Sequence, residues 1–153
     1  MEKILLIDDQ EDFCKQVQKS LQLHNIGLNY VTSSRRGLDL ALNEDWDVLL
    51  LDVVLNQKLD GLGVLKKIVE RNRQLPIIMI SGSSTLHTAV EATQMGAYDF
   101  LEKPLDLNRL LVTIRRALRN KQLTSLNRFL MSEINKQIRF IGQSPAIERI
   151  FDE

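Results

Sequence analysis

Five short apolar runs, each followed by a stretch of helical periodicity, constrain the fold of this chain more than any other feature. Lys3–Ile7, Leu28–Thr32, Val48–Leu51, Ile77–Ile80 and Ala97–Leu101 are short and bounded by polar or glycine-containing turns, so they read as strands. Between them, apolar side chains recur at helical spacing: Phe13, Val17 and Leu21; Leu38, Ala41 and Leu42; Leu62, Leu65, Ile68 and Val69; Leu86, Ala89, Val90 and Thr93. Strands joined by helices run parallel, and nearly continuous apolar strands need cover on both faces. The pattern therefore predicts an open three-layer α/β domain with right-handed crossovers. Gly27 is expected to close the first helix, Ser34 to cap the second, Pro76 to open the fourth strand and Gly96 to stop the fourth helix.

A fifth helix begins near Asp106 and meets no Gly or Pro until Gly142 and Pro145. A domain edge covers only about three or four helical turns, so the part beyond roughly Leu118 is expected to project as a linker. This divides the chain into a domain over 1–120, a helical coiled-coil linker over 121–139 and a further segment over 140–153. Leu107, Leu111, Ile114 and Leu118 step by four, three and four, and Leu123, Leu126, Leu130 and Ile134 resume the seam after a five-residue step near Arg119–Gln122. The first group partly serves the domain's own core. The second would otherwise stand in water, so a homodimer built on residues 107–138 is predicted.

Charge separates the same regions. Residues 1–105 carry 15 acidic and 11 basic side chains, whereas 106–139 carry 2 and 8. The basic helix reads as a solvated face, and no nucleic-acid contact is assigned to it. No apolar run approaches the ~18–20 residues that cross a bilayer, and Met1-Glu2-Lys3 followed by four apolar residues and Asp8 is no secretory signal. The expectation is a cytosolic protein with no membrane contact. Cys14, the single cysteine, reads as a small packing residue, and two scattered histidines exclude a zinc site.

In an open parallel sheet the functional site lies at the carboxyl ends of the strands. Asp8 and Asp9 follow the first strand, Asp52 ends the third, Ser81 ends the fourth and Lys103 follows the fifth. Three converging carboxylates repel one another unless a cation joins them, and the all-oxygen donor set points to Mg²⁺. Phosphoryl transfer needs an in-line nucleophile and positive charge on the equatorial oxygens. Asp52 suits the nucleophile, Lys103 and Mg²⁺ the neutralising charges, and the Ser81 hydroxyl a hydrogen bond to a third oxygen. Each piece alone has an ordinary reading as a helix cap, a turn or an exposed bend; the combination in this order at successive strand ends does not.

The segments ILLIDDQEDF, LLLDVVL, DGLGVLKKI, PIIMISG and GAYDFLEKPL resemble the signature stretches of bacterial response-regulator receiver domains over residues 3–105. The resemblance implies a flavodoxin-like (CheY-like), doubly wound five-stranded sheet in the order 2-1-3-4-5. It implies that Asp52 is phosphorylated by a sensor histidine kinase, that Asp8, Asp9 and Asp52 hold Mg²⁺ with the Val54 carbonyl, and that Ser81 and Phe100 form a switch pair. Lys103 matches the family's lysine, and Pro104 the proline usually preceded by a cis peptide. One departure stands out: Asp60 lies eight positions after Asp52, not the common seven, so the loop beside the site has a different shape. The resemblance also implies that the side chains of Val54 and Ser83 flank the path of the water that hydrolyses the phospho-aspartate.

Phe140–Ile147 is similar to the opening of the AAA+ ATPase domain in sigma-54-dependent activators of the nitrogen-regulator type. No phosphate-binding loop follows before Glu153, so a receiver with linker from a longer activator is expected, one that also binds DNA and sigma-54 RNA polymerase. A stand-alone receiver acting by protein binding is the alternative. A haloacid-dehalogenase-like phosphatase would need an acid two residues after its nucleophile, and Val54 stands there.

Overall fold

The computed structural model describes residues 2–82 and 86–141. Five strands, β1 (Ile4–Ile7), β2 (Leu28–Val31), β3 (Val48–Asp52), β4 (Ile77–Ser81) and β5 (Asp99–Glu102), alternate with α1 (Glu11–Gln22), α2 (Ser34–Asn43), α3 (Gly61–Arg71), α4 (Leu86–Gln94) and α5 (Leu107–Ile141). All neighbouring strands are parallel, in the order β2-β1-β3-β4-β5. The fold is the doubly wound, flavodoxin-like one that the sequence predicts.

The period-two alternation of a strand explains why the strands read as continuous apolar runs. Ile4, Leu6, Val48, Leu50, Ile78 and Ile80 pack with Cys14, Val17 and Leu21 of α1 and Leu110, Leu111, Ile114 and Ala117 of α5. Leu5, Ile7, Leu49, Leu51, Ile77 and Met79 face the other way, onto Ala41 of α2, Val64, Leu65 and Ile68 of α3 and Ala92 of α4. Each strand thus contributes to two cores, which a sheet with one wet face would not require.

Several local expectations are corrected. Ser33, not Ser34, caps α2 by accepting the Arg36 amide at 3.3 Å. Ser34 is instead the buried first residue of that helix. Asn25, at φ 61°, makes the left-handed turn after α1 that Gly27 was expected to make. The fifth strand begins at Asp99, two residues later than predicted. In α4 the predicted inner stripe faces largely outward: Leu86, Val90 and Thr93 are exposed and Ala92 is buried. Gly96 does end that turn, at φ 112°, with the Ala97 amide reaching back to the Ala92 carbonyl.

The chain divides into two compact units, Met1–Lys121 and Gln122–Glu153. Of the predicted seam, Leu111 and Ile114 are buried in the first unit's core, with Leu107 and Leu118 packed against it. The burial assigns Leu111 and Ile114 to the domain's own core, the part of its role that the first group was expected to share. In the second unit Leu123, Leu126, Leu130 and Ile134 are all about half exposed, as are Phe129 and Met131, which the spacing argument did not include. Among the described residues, no helix is long and apolar enough to cross a membrane. Ser83 and the resemblance to an ATPase opening from Gly142 onward lie outside the described residues.

Candidate functional site

The carboxyl edge of the sheet brings together Asp8, Asp9, Asp52 and Lys103. Asp8 follows β1 and extends its pairing with β2, its backbone N–H donating a hydrogen bond to the Val31 carbonyl at 3.2 Å. Asp52 is the last residue of β3, paired in register with Ile80, so Ser81 lies one residue further along the adjacent strand. Lys103 follows β5, and its amide donates to the Ser81 carbonyl at 2.8 Å. The Lys103–Pro104 peptide is cis. Parallel pairing alone therefore delivers these residues to one edge, although they are separated by up to 95 positions in the chain.

Asp8 and Asp52 are held in matching ways. One oxygen of Asp8 accepts the Gln10 amide at 2.8 Å, and the other accepts the Lys103 ammonium at 2.9 Å. One oxygen of Asp52 accepts the Val54 amide at 3.1 Å, and the other the same ammonium at 3.2 Å. Lys103 also donates to Gln10 Oε1 at 3.2 Å, and its ammonium lies 4.1 Å from the Phe13 ring centroid. Gln10 and Phe13 escaped the sequence reading. Gln10 adjoins the acidic pair and offered a weak signal, whereas Phe13 reads only as part of the inner face of α1.

Burial sets the electrostatics. Asp52 is 4% exposed and Asp8 fully buried. Desolvation, reinforced by the charge of Asp8, pushes the Asp52 carboxyl up to about 6, against the opposing pull of Lys103 and the Val54 amide. Burial works against the charged form of Lys103, yet its hydrogen bond to Asp8 and the charges of Asp52 and Asp8 raise it overall. One ammonium thus pairs with two of three carboxylates, each of which has an oxygen within 4.8 Å of an oxygen of the others. Hard oxygen donors in negative excess fit Mg²⁺, and Asp8, Asp9 and Asp52 are the residues that would hold it.

The remaining site residues stand around this centre. Ser81 is buried at the end of β4. Phe100, on β5, is half-buried against the α2–α4 side of the sheet and borders a cleft with Ala89, Lys103 and Arg109. Val54 has an exposed side chain, 47% accessible, on the loop after β3. Gly61 passes so close to this edge that a Cβ there would overlap the Asp52 carbonyl oxygen, which explains the glycine after Asp60. Cys14 lies beneath the site, its thiol directed at the Asp8 carbonyl at 3.4 Å, and burial pushes it up to about 12; it is a packing residue and an inert thiol.

Comparison with known proteins gives the family and the fold. Residues 4–115 match the response regulator receiver domain. The C4-dicarboxylate transport transcriptional regulatory protein DctD of Pseudomonas aeruginosa is 32% identical over 155 residues, 99% of this chain and 33% of that protein. Among solved structures, the receiver domain of NtrX from Brucella abortus is 34% identical, with a TM-score of 0.71 over 76% of this chain and 98% of that one. NtrX from the same organism in complex with ATP is 29% identical, with a TM-score of 0.78 over 91% of this chain and 34% of that one. The chain spans about a third of the length of the curated relatives it matches. The fold, the acidic edge with its lysine and the family match over residues 4–115 together place the chain in the response regulator receiver domain family.

Proposed function

We propose that this receiver accepts a phosphoryl group on Asp52 from a sensor histidine kinase and thereby controls an attached sigma-54-dependent activator ATPase. The observation that carries the reading is the buried Asp52 carboxylate, bridged to Asp8 by the Lys103 ammonium at the open edge of the sheet. With its carboxyl held up to about 6, Asp52 is ionised at neutral pH yet more basic than an ordinary aspartate, which favours it as a nucleophile. In the transfer an Asp52 oxygen forms a bond to phosphorus as the bond from phosphorus to the phosphohistidine nitrogen breaks, and the departing imidazole keeps that electron pair and takes up a proton. Lys103 follows the charge onto the phosphoryl oxygens. The Ser81 hydroxyl donates to one of them, and the Phe100 ring turns inward behind it. Asp8, Asp9, Asp52 and the Val54 carbonyl would hold Mg²⁺, which when bound supplies positive charge to the transferring group. The chain phosphorylates and dephosphorylates itself and does not turn over free phosphate esters.

The matched relatives are about three times as long as this chain, which favours an attached output domain over a stand-alone receiver. One neighbour is described as NtrX with ATP, which supports an ATPase in the full-length protein, acting in the cytosol with DNA and sigma-54 RNA polymerase as partners. The exposed stripe Leu123, Leu126, Leu130 and Ile134 supports a homodimer through the linker, with Leu107 and Leu118 at its margin. Incubation with acetyl phosphate and Mg²⁺ tests the central claim: acid-labile label is expected on the wild-type chain and not on Asp52→Asn, and equal labelling of both would refute it.

A further inference from the structure

The loop after β3 is one residue longer than the common receiver pattern, and a longer loop beside a reactive aspartate has more conformations to exclude. Its anchoring is uneven. Leu55 is buried at 1% exposure, and the Gly61 amide returns to the Val53 carbonyl at 3.0 Å, which fixes the two ends. In the middle Leu59 packs against the core, and Gln57 supplies hydrogen bonds to the neighbouring chain segment. Gln57 Oε1 accepts both the Ser34 amide at 2.8 Å and the Ser34 hydroxyl at 2.9 Å, while Gln57 Nε2 donates to the Thr32 carbonyl at 2.7 Å. A glutamine thus ties the loop to the start of α2, using its acceptor twice and its donor once. Ser34 is buried at 1% exposure, so its hydroxyl needs the partner that Gln57 supplies.

We propose that Gln57 is a positioning residue that, through Ser34 and Thr32, holds the Asp52–Asp60 loop in the conformation that keeps Val54 on Asp52. The inference rests on the phosphoacceptor reading above. The Val54 amide meets Asp52 Oδ1 at 3.1 Å, three residues upstream of Gln57, so the clamp and the site share one short segment. Releasing the clamp lets that segment sample other conformations, and the fraction of molecules with Val54 in place falls. Ser34, the first residue of α2, thereby acts on a reaction to which it contributes no atom.

Three variants separate positioning from plain stability. Gln57→Met keeps length and removes all three hydrogen bonds; Gln57→Glu keeps the two acceptor contacts; Ser34→Ala removes the hydroxyl that Gln57 accepts. Amide exchange over residues 53–60 in Mg²⁺-free protein is expected to quicken about three- to tenfold in Gln57→Met, the loss expected from one or two modest hydrogen bonds, with exchange in β1 and β4 unchanged. The half-saturating Mg²⁺ for acetyl-phosphate labelling should rise by a similar factor, Gln57→Glu should lie between Gln57→Met and wild type, and Ser34→Ala should add little on top of Gln57→Met. Unchanged exchange and Mg²⁺ dependence in Gln57→Met, with normal labelling of the wild type, would overturn this inference alone. Failure of the wild-type chain to label would overturn the phosphoacceptor reading and the inference with it.

Discussion

Asp52→Asn keeps the size and shape of the side chain and removes its ionisation, so its effect on stability can be worked out from the site. The folded-state carboxyl sits at about 6 against an ordinary 3.8. Between those values the folded protein holds a proton that the unfolded chain has released, so stability falls as pH rises from about 4 to about 6 and stays lowered above that. A gap of about two pH units corresponds to a ceiling of about 3 kcal/mol, already net of the attraction to Lys103. Asparagine escapes that penalty, and its amide oxygen still accepts the Val54 amide. Urea unfolding in the presence of chelator should therefore find Asp52→Asn more stable than wild type by about 1–3 kcal/mol at pH 7.5, with the advantage shrinking towards zero at pH 4. An advantage that is absent at pH 7.5, or that grows as the pH falls, would refute the claim that burial and Asp8 oppose the ionised form.

Lys103→Ala should nearly abolish the response to phosphorylation without weakening Mg²⁺ binding, because the ammonium competes with a dication for Asp8 and Asp52; a Mg²⁺ titration showing much poorer binding would contradict this. Val54 is exposed and apolar and cannot orient a hydrolytic water, so Val54→Asn should shorten the phosphoryl lifetime several-fold in a decay assay, and an equal or longer lifetime would count against that role. Ile114→Ala, at a fully buried position, should cost about 2–5 kcal/mol in chemical unfolding. Sedimentation of the 1–153 chain at tens of micromolar should show a dimer, and of a 1–120 truncation a weaker dimer or none; a monomeric 1–153 would remove the proposed seam.

Much of this was legible because a parallel sheet turns strand order into spatial proximity. Asp8, Asp52, Ser81 and Lys103 needed only their positions at strand ends to be brought to one edge. What decided the remaining details were contacts between residues far apart in the chain. Ser33 and Ser34 are equivalent as caps in sequence, and the choice turns on Gln57, 23 residues from Ser34, which engages the amide and hydroxyl of the second serine. Gln10 and Phe13 belong to the site only because Lys103, some 90 residues on, lies against them.

Helical spacing has a related limit: it reveals an apolar stripe without revealing what covers it. In α4 the larger apolar residues Leu86 and Val90 lie on the exposed side, while the small Ala92 packs with the sheet, where a longer side chain would have to displace neighbours. In α5 one pattern of leucines and isoleucines serves two ends. Leu111 and Ile114 are fully enclosed by strands and α1, whereas Leu126 and Leu130, at the same kind of spacing, are half exposed in the second unit. The spacing is the same in both places because it reflects the geometry of the helix alone. Burial is decided by whether a sheet stands opposite, so the stripe of the first unit belongs to folding, while that of the second is left exposed and open to the proposed association.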